Sequence, residues 1–544
     1  MTFSTLRALH AVIGAAIDDI EHVYRERSQG GALEYPSLDE PYYHTAQHTP
    51  EEELAESLKS DPAVVTAAMR IVAACSQLST TVNKPWSGLL EDLMWSEFSS
   101  ALRFLEAANI VEILREAGPG GLHVREILRL VLELRTNSET AAPPDTVPLT
   151  PAHLGHILRL LATGHYLREV KPDVFTNNRA SSYIDSGKTV AHLREAPEKK
   201  YNDTNGVAAY VGTSGDTTLK SVSYLTDWAL PEKRSVSGRT EANFDCCRDA
   251  AVVPQTRYFA PFNLAFNTEL GLFPWLELPG NEGRLVRFGH AMAGTREHET
   301  ESQILQAFSW EDLSPGSVLV DVGGGIGSQS ILVAEAHPHI HVVVEDRAQV
   351  VSTALSAWGP QYAHLLESGR MSWRALDFFE ARPAALTVPT LGQVDAPAVF
   401  LLRTILHDWN DQDCKRGVLI LSESSLILSR LRAAAGPDTK LLIGERLLQH
   451  ACAGEAEYEA ASQSDGATTT ATFPFVAKNS PLLPNLGVAN ILGYLTDIAM
   501  MGVFGGKERT ADEMAALTLS AGWRIVEIRR MPCSMWCYTT AVPV

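Results

Sequence analysis

Leu6, Leu9, Ile13, Ile17, Ile20 and Tyr24 recur at three- and four-residue spacing, with His10, Asp18, Asp19 and Glu21 between them. That spacing puts the apolar side chains on one face and predicts an amphipathic helix over residues 1–27. Ala8 to Ile17 is apolar enough to be mistaken for a signal peptide, but no small-residue cleavage site follows it. Residues 28–60 are rich in Gly, Pro and acids and read as a loop. Helical spacing returns from Pro62 to Leu78 and from Leu89 to Ala117, and Gly118-Pro119-Gly120-Gly121 stops it. A helix is predicted over His123–Leu134. Another begins at Thr150-Pro151, with Thr150 as N-cap and Leu154, Ile157, Leu158 and Leu161 on one face. Tyr166–Val170 and Val174–Asn177 read as two strands around Lys171-Pro172-Asp173. Helix, helix, hairpin is a winged-helix outline. Residues 180–250 are polar and give no assignment, and residues 255–312 are helical again, broken by Pro274, Pro279 and Gly280.

From Ser317 the period changes. Ser317–Val322 is a short buried strand, followed by a glycine loop and a helix over Ser328–Ala336. His341–Val344, Ala398–Leu402 and Lys440–Ile443 are further strands, with a helix from about Asp413 to Leu431 between the last two. Strands alternating with helices predict an α/β fold with a parallel, doubly wound sheet. Residues 449–489, rich in Ala, Ser, Thr, Glu and Pro, read as a flexible insertion. Helices Asn490–Met501 and Ala511–Ala521 and a strand over Arg524–Ile528 close the chain. The expected domains are an N-terminal helical extension (1–85), a winged-helix-like domain with a polar insert (86–250) and a catalytic domain (251–544). No internal repeat is evident.

Composition narrows the function classes. At 544 residues, 45% hydrophobic and 20% charged, the chain is globular. Its net charge of −20 argues against a general nucleic-acid or anionic-membrane surface, and weakens the DNA-binding reading of the winged helix. Seven cysteines, at 75, 246, 247, 414, 452, 533 and 537, read as reduced thiols and not as a disulfide framework. Cys533 and Cys537 have no flanking His and read as residues of a C-terminal strand; no metal site is predicted. No run of about 18 uninterrupted apolar residues occurs, so no membrane span is predicted and a cytoplasmic protein is expected.

The strongest chemistry lies in the second half. Asp321-Val322-Gly323-Gly324-Gly325-Ile326-Gly327 joins a strand to a helix, and such glycines let the backbone pass close to a ligand at a helix N-terminus. A dinucleotide fingerprint needs G-x-G-x-x-G/A, but its last position here is Ser328. The Asp-x-Gly-x-Gly-x-Gly frame resembles the first motif of class I S-adenosylmethionine (SAM) methyltransferases. The second strand ends at Glu345-Asp346, where an acid can take both ribose hydroxyls, and motif position favours Asp346. A third acid stands in Leu376-Asp377-Phe378-Phe379, where that family holds the adenine.

After the fourth strand comes Arg403-Thr404-Ile405-Leu406-His407-Asp408-Trp409, at the sheet edge where ligands sit in open α/β folds. Gly444-Glu445-Arg446 ends the fifth strand, and Gly505-Gly506-Lys507-Glu508-Arg509-Thr510 precedes a late helix. Together these closely resemble the plant and fungal O-methyltransferases that include the caffeate and flavonoid enzymes, over about residues 85–544. The resemblance implies SAM as cofactor, S-adenosylhomocysteine as product, and a homodimer formed through the winged-helix module. It makes His407 the general base, with Glu445 and Glu508 flanking it. Arg403 stands where plant members carry a Lys near the cofactor carboxylate; charge is kept and geometry changes. Phe288 and Met292, in Arg287-Phe288-Gly289-His290-Ala291-Met292, match a segment lining the pocket, and Trp409 and Met500 or Met501 join them. Lys200–Gly206 and the long inserts look more like fungal secondary-metabolism members than plant ones.

The chemistry suits these residues. A phenol titrates near ~10 and an imidazole near ~6.5, so the His is a weak base made effective by proximity. Flanking glutamates orient it and stabilise its protonated form. The plain alternative is that Glu445 and Glu508 cap helices or pair with Arg446 and Arg509. The implied function is methylation of a phenolic or polyketide-derived hydroxyl without a metal. The rival readings are a pericyclase or dehydratase that uses SAM for its charge alone, and an N-methyltransferase.

Overall fold

The computed structural model describes residues 2–28, 33–136, 149–230, 260–294, 303–358, 361–383, 385–411, 423–452, 480–530 and 536–544. Residues 231–259, 412–422 and 453–479 lie outside these, and so do Cys246, Cys247, Cys414, Cys533 and most of the expected insertion. The chain divides into two compact units: residues 1–13, 69–77 and 298–544 form the catalytic unit, and residues 14–68 and 78–297 the helical unit.

The catalytic unit is built on a sheet whose strands are β1 (Ser317–Val322), β2 (Ile340–Asp346), β3 (Met371–Ala375), β4 (Val399–Arg403), β5 (Lys440–Leu448), β6 (Trp523–Arg530) and β7 (Trp536–Pro543). Their spatial order is β6-β7-β5-β4-β1-β2-β3. Val318 to Val322 are all buried, as a strand with both faces covered requires. Strand order reverses between β1 and β4, which opens a crevice at their carboxyl ends. The fully parallel sheet expected from the alternation is corrected at one place: β7 runs antiparallel between β5 and β6. A hairpin return needs no crossover helix, and only the β-rich ending of the sequence signals it. Cys537 lies buried on that strand.

The helical unit contains the predicted winged helix. Leu122–His123, Val174–Thr176 and Arg168–Lys171 form a three-stranded antiparallel sheet beside helices Val124–Thr136 and Pro151–Thr163. Thr150 caps the second helix by accepting from the His153 N–H. Residues 260–294, expected in the catalytic domain, pack instead with this unit. Helix Glu282–Gly294 meets helix Val207–Thr213 backbone to backbone: a Cβ on Gly206 would lie 2.4 Å from the His290 carbonyl oxygen. Next to this contact, Asp216 is buried on a π-helical turn and paired with Arg103, Lys220, Arg284 and Arg287. The loop expected over 28–60 contains a helix, Pro50–Ser57. Its signal was present: Thr49 and Glu52 form a reciprocal capping box, and Pro50 occupies the first turn. The long helical run 89–117 breaks into Pro85–Leu93, Trp95–Ala107 and Ile110–Ala117.

Among the described residues two helices, Pro62–Val82 and Gly487–Phe504, are long and apolar enough by composition to cross a membrane, although neither is an uninterrupted apolar run. The second is tied into the catalytic unit: Asp497 accepts from the Glu508 N–H at 2.8 Å, and the helix packs against the 406–408 turn.

Candidate active site

The glycine loop leaves β1 and turns under β2. The Gly323 and Gly324 N–H groups both donate to the Glu345 carbonyl, at 2.8 and 3.2 Å. Gly323 has φ +69°, and a Cβ there would lie 2.5 Å from Ile405 Cδ1, so both conformation and space demand glycine. Gly325 and Gly327 also have positive φ, and Gly327 precedes the helix Ser328–Ala336. Asp321 is buried at the base of the loop and accepts from the Ser330 hydroxyl at 2.6 Å. Burial pushes its carboxyl up to about 6.

The two acids ending β2 separate cleanly. Glu345 is buried and committed to Arg374 and Arg382. Asp346 faces the loop and accepts from the Gly325 N–H at 2.8 Å. Asp346, the acid that motif position favours, is the one against the glycine loop. Asp377 is exposed and accepts from the Phe379 N–H, while the Phe378 ring stands beside Gly323. A positive-φ glycine cradle, an acid on its rim and an aromatic face are a donor set that fits SAM: the cradle would take the amino-acid part, Asp346 the ribose and Phe378 the adenine.

Next to the cradle, β4 ends at Arg403, whose guanidinium stacks on Trp536 at 5.1 Å. Thr404 then takes φ +54°, a costly conformation for a β-branched residue and one that marks functional turns. His407 sits in the single turn Leu406–Asp408. Strand β5 does not end at Glu445 as expected. Its pairing with β4 stops at Gly444, but it runs on to Leu448 against β7 and the two-residue strand Arg509–Thr510. That last pairing brings Glu508 beside Glu445.

The three predicted catalytic residues meet. Glu508 Oε1 lies 3.1 Å and Glu445 Oε2 3.6 Å from His407 Nδ1. Glu445 Oε1 accepts from the Ile405 and Leu406 N–H groups, which fixes the turn carrying the histidine. Asp408 Oδ1 lies 3.5 Å from Nε2. Burial disfavours a charged imidazole, but Glu445, Asp408 and Glu508 outweigh it and hold the His407 pKa up at about 9. Burial raises the Glu445 carboxyl and takes Asp408 up to about 7. Burial opposes the Glu508 carboxylate too, but the His407 hydrogen bond and the Arg446 guanidinium keep it low.

The plain alternative for the glutamates holds in part. Arg446 donates to Glu508 Oε1 at 3.2 Å, the oxygen that His407 also uses. Arg509 does not pair with Glu508. It is buried and donates to the Leu406 and Trp409 carbonyls, to Ser424 and to Asp411, clasping the loop that carries His407. Trp409 is buried against Phe378 and Phe379, so it backs these rings instead of forming open pocket wall. Met500 and Met501 are half-buried on helix Ile491–Phe504, within a turn of Asp497. Phe288 and Met292 lie on Glu282–Gly294 of the helical unit. Asp497 was missed by sequence reasoning, yet it is the one charge in an otherwise apolar helix, which is a signal for a buried polar contact.

Ligand atoms of His407, Glu445 and Glu508 lie within 4.8 Å of one another. Sequence spacing could not show this cluster, because its members come from three distant segments. Arg446 already supplies positive charge to Glu508, so the geometry reads as an acid–base cluster.

Gly506 sets the last contact. A Cβ there would lie 2.0 Å from the His407 carbonyl oxygen, where the Lys507 N–H now donates at 2.9 Å. Gly506→Ala is expected to push Glu508 away from the imidazole and lower kcat by about tenfold to hundredfold. Steady-state kinetics, with SAM affinity by calorimetry as control, checks this.

Known proteins fit this geometry. The O-methyltransferase domain family matches residues 260–465. An O-methyltransferase of Armillaria gallica is 33% identical over 527 residues, covering 96% of this chain and 95% of the relative. The 4-O-methyltransferase 1 of Phanerochaete chrysosporium is 33% identical over 527 residues, covering 97% and 96%. Among solved structures, one titled a pericyclic reaction enzyme aligns with a TM-score of 0.58 at 14% identity, covering 91% of this chain and 97% of that one. Solved structures of the same fold hold SAM. A glycine cradle with its ribose acid, a buried His between carboxylates, and full-length likeness to fungal enzymes converge: the chain belongs to the SAM-dependent O-methyltransferase family.

Proposed function

We propose that this O-methyltransferase acts on a phenolic or polyketide-derived hydroxyl, with His407 as general base. The observation that carries the reading is the buried imidazole with two carboxylates at Nδ1 and its Nε2 beside Asp408. Bound SAM supplies an activated methyl group on a sulfonium. The chain has to place the acceptor oxygen in line and take its proton. His407 Nε2 accepts that proton; Glu508, hydrogen-bonded to Nδ1, and Glu445 stabilise the imidazolium that forms. Glu445 also holds the turn through the Ile405 and Leu406 N–H groups, and Arg509 holds it from the other side. In the same reading Arg403 neutralises the cofactor carboxylate, and Met500 lines the acceptor pocket.

A homodimer and a reducing, cytoplasmic setting belong to this proposal. Helix Pro85–Leu93 has no buried residue, and Val82, Trp86, Leu89, Leu93, Met94 and Trp95 are exposed, an apolar face suited to a second copy. Trp86→Glu with Leu93→Glu is expected to give a monomer by sedimentation, where the parent chain gives a dimer.

The test is a methyl-transfer assay with SAM and panels of phenols and aromatic amines, with and without a chelator, reading S-adenosylhomocysteine by mass. Product from phenols, insensitive to chelation, supports the reading. Product from amines alone favours N-methylation, and chelator-sensitive turnover overturns the metal-free site. The pericyclase reading predicts an acceptor that is transformed with no S-adenosylhomocysteine formed.

A further inference from the structure

We propose that Arg446 is a positioning residue that keeps His407 competent as a base by opposing its protonation. The inference rests on the general-base reading above.

Three acids surround the imidazole: Asp408 on its own turn, Glu445 on β5 and Glu508 from the loop before Arg509–Thr510. Asp497 and Lys507 reach the same loop, and Arg509 and Asp411 bracket the His407 turn. Acids alone would trap the proton on His407, and an imidazole that never gives up its proton cannot accept one from a phenol. Arg446 is the counterweight. It is buried, and its guanidinium lies 4.3 Å from the ring centroid of Trp536, its cross-strand partner on β7. From there it donates to Glu508 Oε1, the oxygen bonded to His407 Nδ1. Two cations sharing one carboxylate oxygen compete for it, so each disfavours charge on the other. Glu508 Oε2 and Arg446 Nε have no hydrogen-bond partner among the described residues. Among the described residues, the guanidinium pairs with this carboxylate and with the indole face.

The sign follows from the charge. Below its pKa His407 carries the proton and is not a base, so kcat/KM rises with pH and levels off near the His407 pKa of about 9. Removing a buried cation makes protonation of its neighbours easier. Glu508 stays ionised in this pH range, so the effect falls on His407.

Arg446→Met is expected to move the rising limb of kcat/KM upward by about one pH unit or more, which lowers the rate at neutral pH about tenfold or more. SAM affinity by calorimetry should be unchanged. Arg446→Lys keeps a charge at the site and should leave the limb near its original position. A rate lost evenly at every pH, with the limb unmoved, would mean a merely structural role and overturn the proposal. If Arg446→Met does not fold, the His407 titration followed by imidazole nitrogen NMR in Arg446→Lys decides. A pKa near the parent's supports the charge role; a shift as large as that expected for charge loss overturns it. His407→Ala run alongside separates the two failures. A retained rate there defeats the general-base reading, whereas a lost rate with an unmoved Arg446→Met limb defeats this inference alone.

Discussion

His407→Ala is expected to lower kcat by about 10² to 10⁴ while SAM still binds. The loss is large because the one acid left on the Nε2 side, Asp408, is a weaker base than the imidazole it flanks. Glu445 and Glu508 sit on the Nδ1 side, opposite the nitrogen that takes the proton, and Glu445 is spent on two backbone N–H groups. The variant also leaves two buried acids and the half-buried Asp408 without the imidazole, so stability falls as well. His407→Asn separates the two effects. It keeps an N–H for Glu508 and removes the base, so it should lose activity with less loss of thermal stability. Single-turnover rates, with calorimetry for SAM, provide the check. A His407→Ala enzyme with near-parent turnover would show that the acceptor arrives already ionised.

The second large effect is on the cofactor. Asp346→Ala should weaken SAM binding by about tenfold to a hundredfold, the value of one charge-assisted hydrogen bond at about 1.5–3 kcal/mol. At saturating SAM, kcat should stay within a few fold of the parent. The Gly325 N–H loses its acceptor in the variant but remains at the edge of the loop, where water can replace it. Glu345 makes the contrast. Its carboxylate is buried between Arg374 and Arg382, so Glu345→Ala should unfold the protein at lower temperature, because two guanidiniums lose their partner. Calorimetric titration beside a melting curve distinguishes a ligand acid from a structural one. If Asp346→Ala bound SAM as tightly as the parent, the ribose contact would have to come from elsewhere.

Much of the site could be read from order along the chain. The glycine loop after β1, the acid ending β2 and the His407, Glu445 and Glu508 segments each carry a local signature, because backbone conformation and strand-end position are local properties. The period of apolar residues likewise marked the winged helix and five strands of the catalytic sheet, but it passed over Met371–Ala375, a strand with one buried residue. Phe288 and Met292 show the limit: their segment was legible, but it packs with the helical unit, as close backbone contact at Gly206 and Gly294 requires.

What only the tertiary structure decided are relations between distant segments. Sequence could not show that β5 runs past Glu445 and pairs with Arg509–Thr510, which is what carries Glu508 to the imidazole. Nor could it divide the basic residues. Arg446 and Arg509 follow adjacent glutamates in similar motifs, yet one shares Glu508 with His407 and the other clasps carbonyls of the His407 loop. The reversed β7 and the role of Asp497 have the same origin. A side chain's partner depends on which backbone arrives opposite it. A chain's local pattern fixes its strands and turns, but the pairing of buried charges is settled only when those elements pack and every polar group must find a partner.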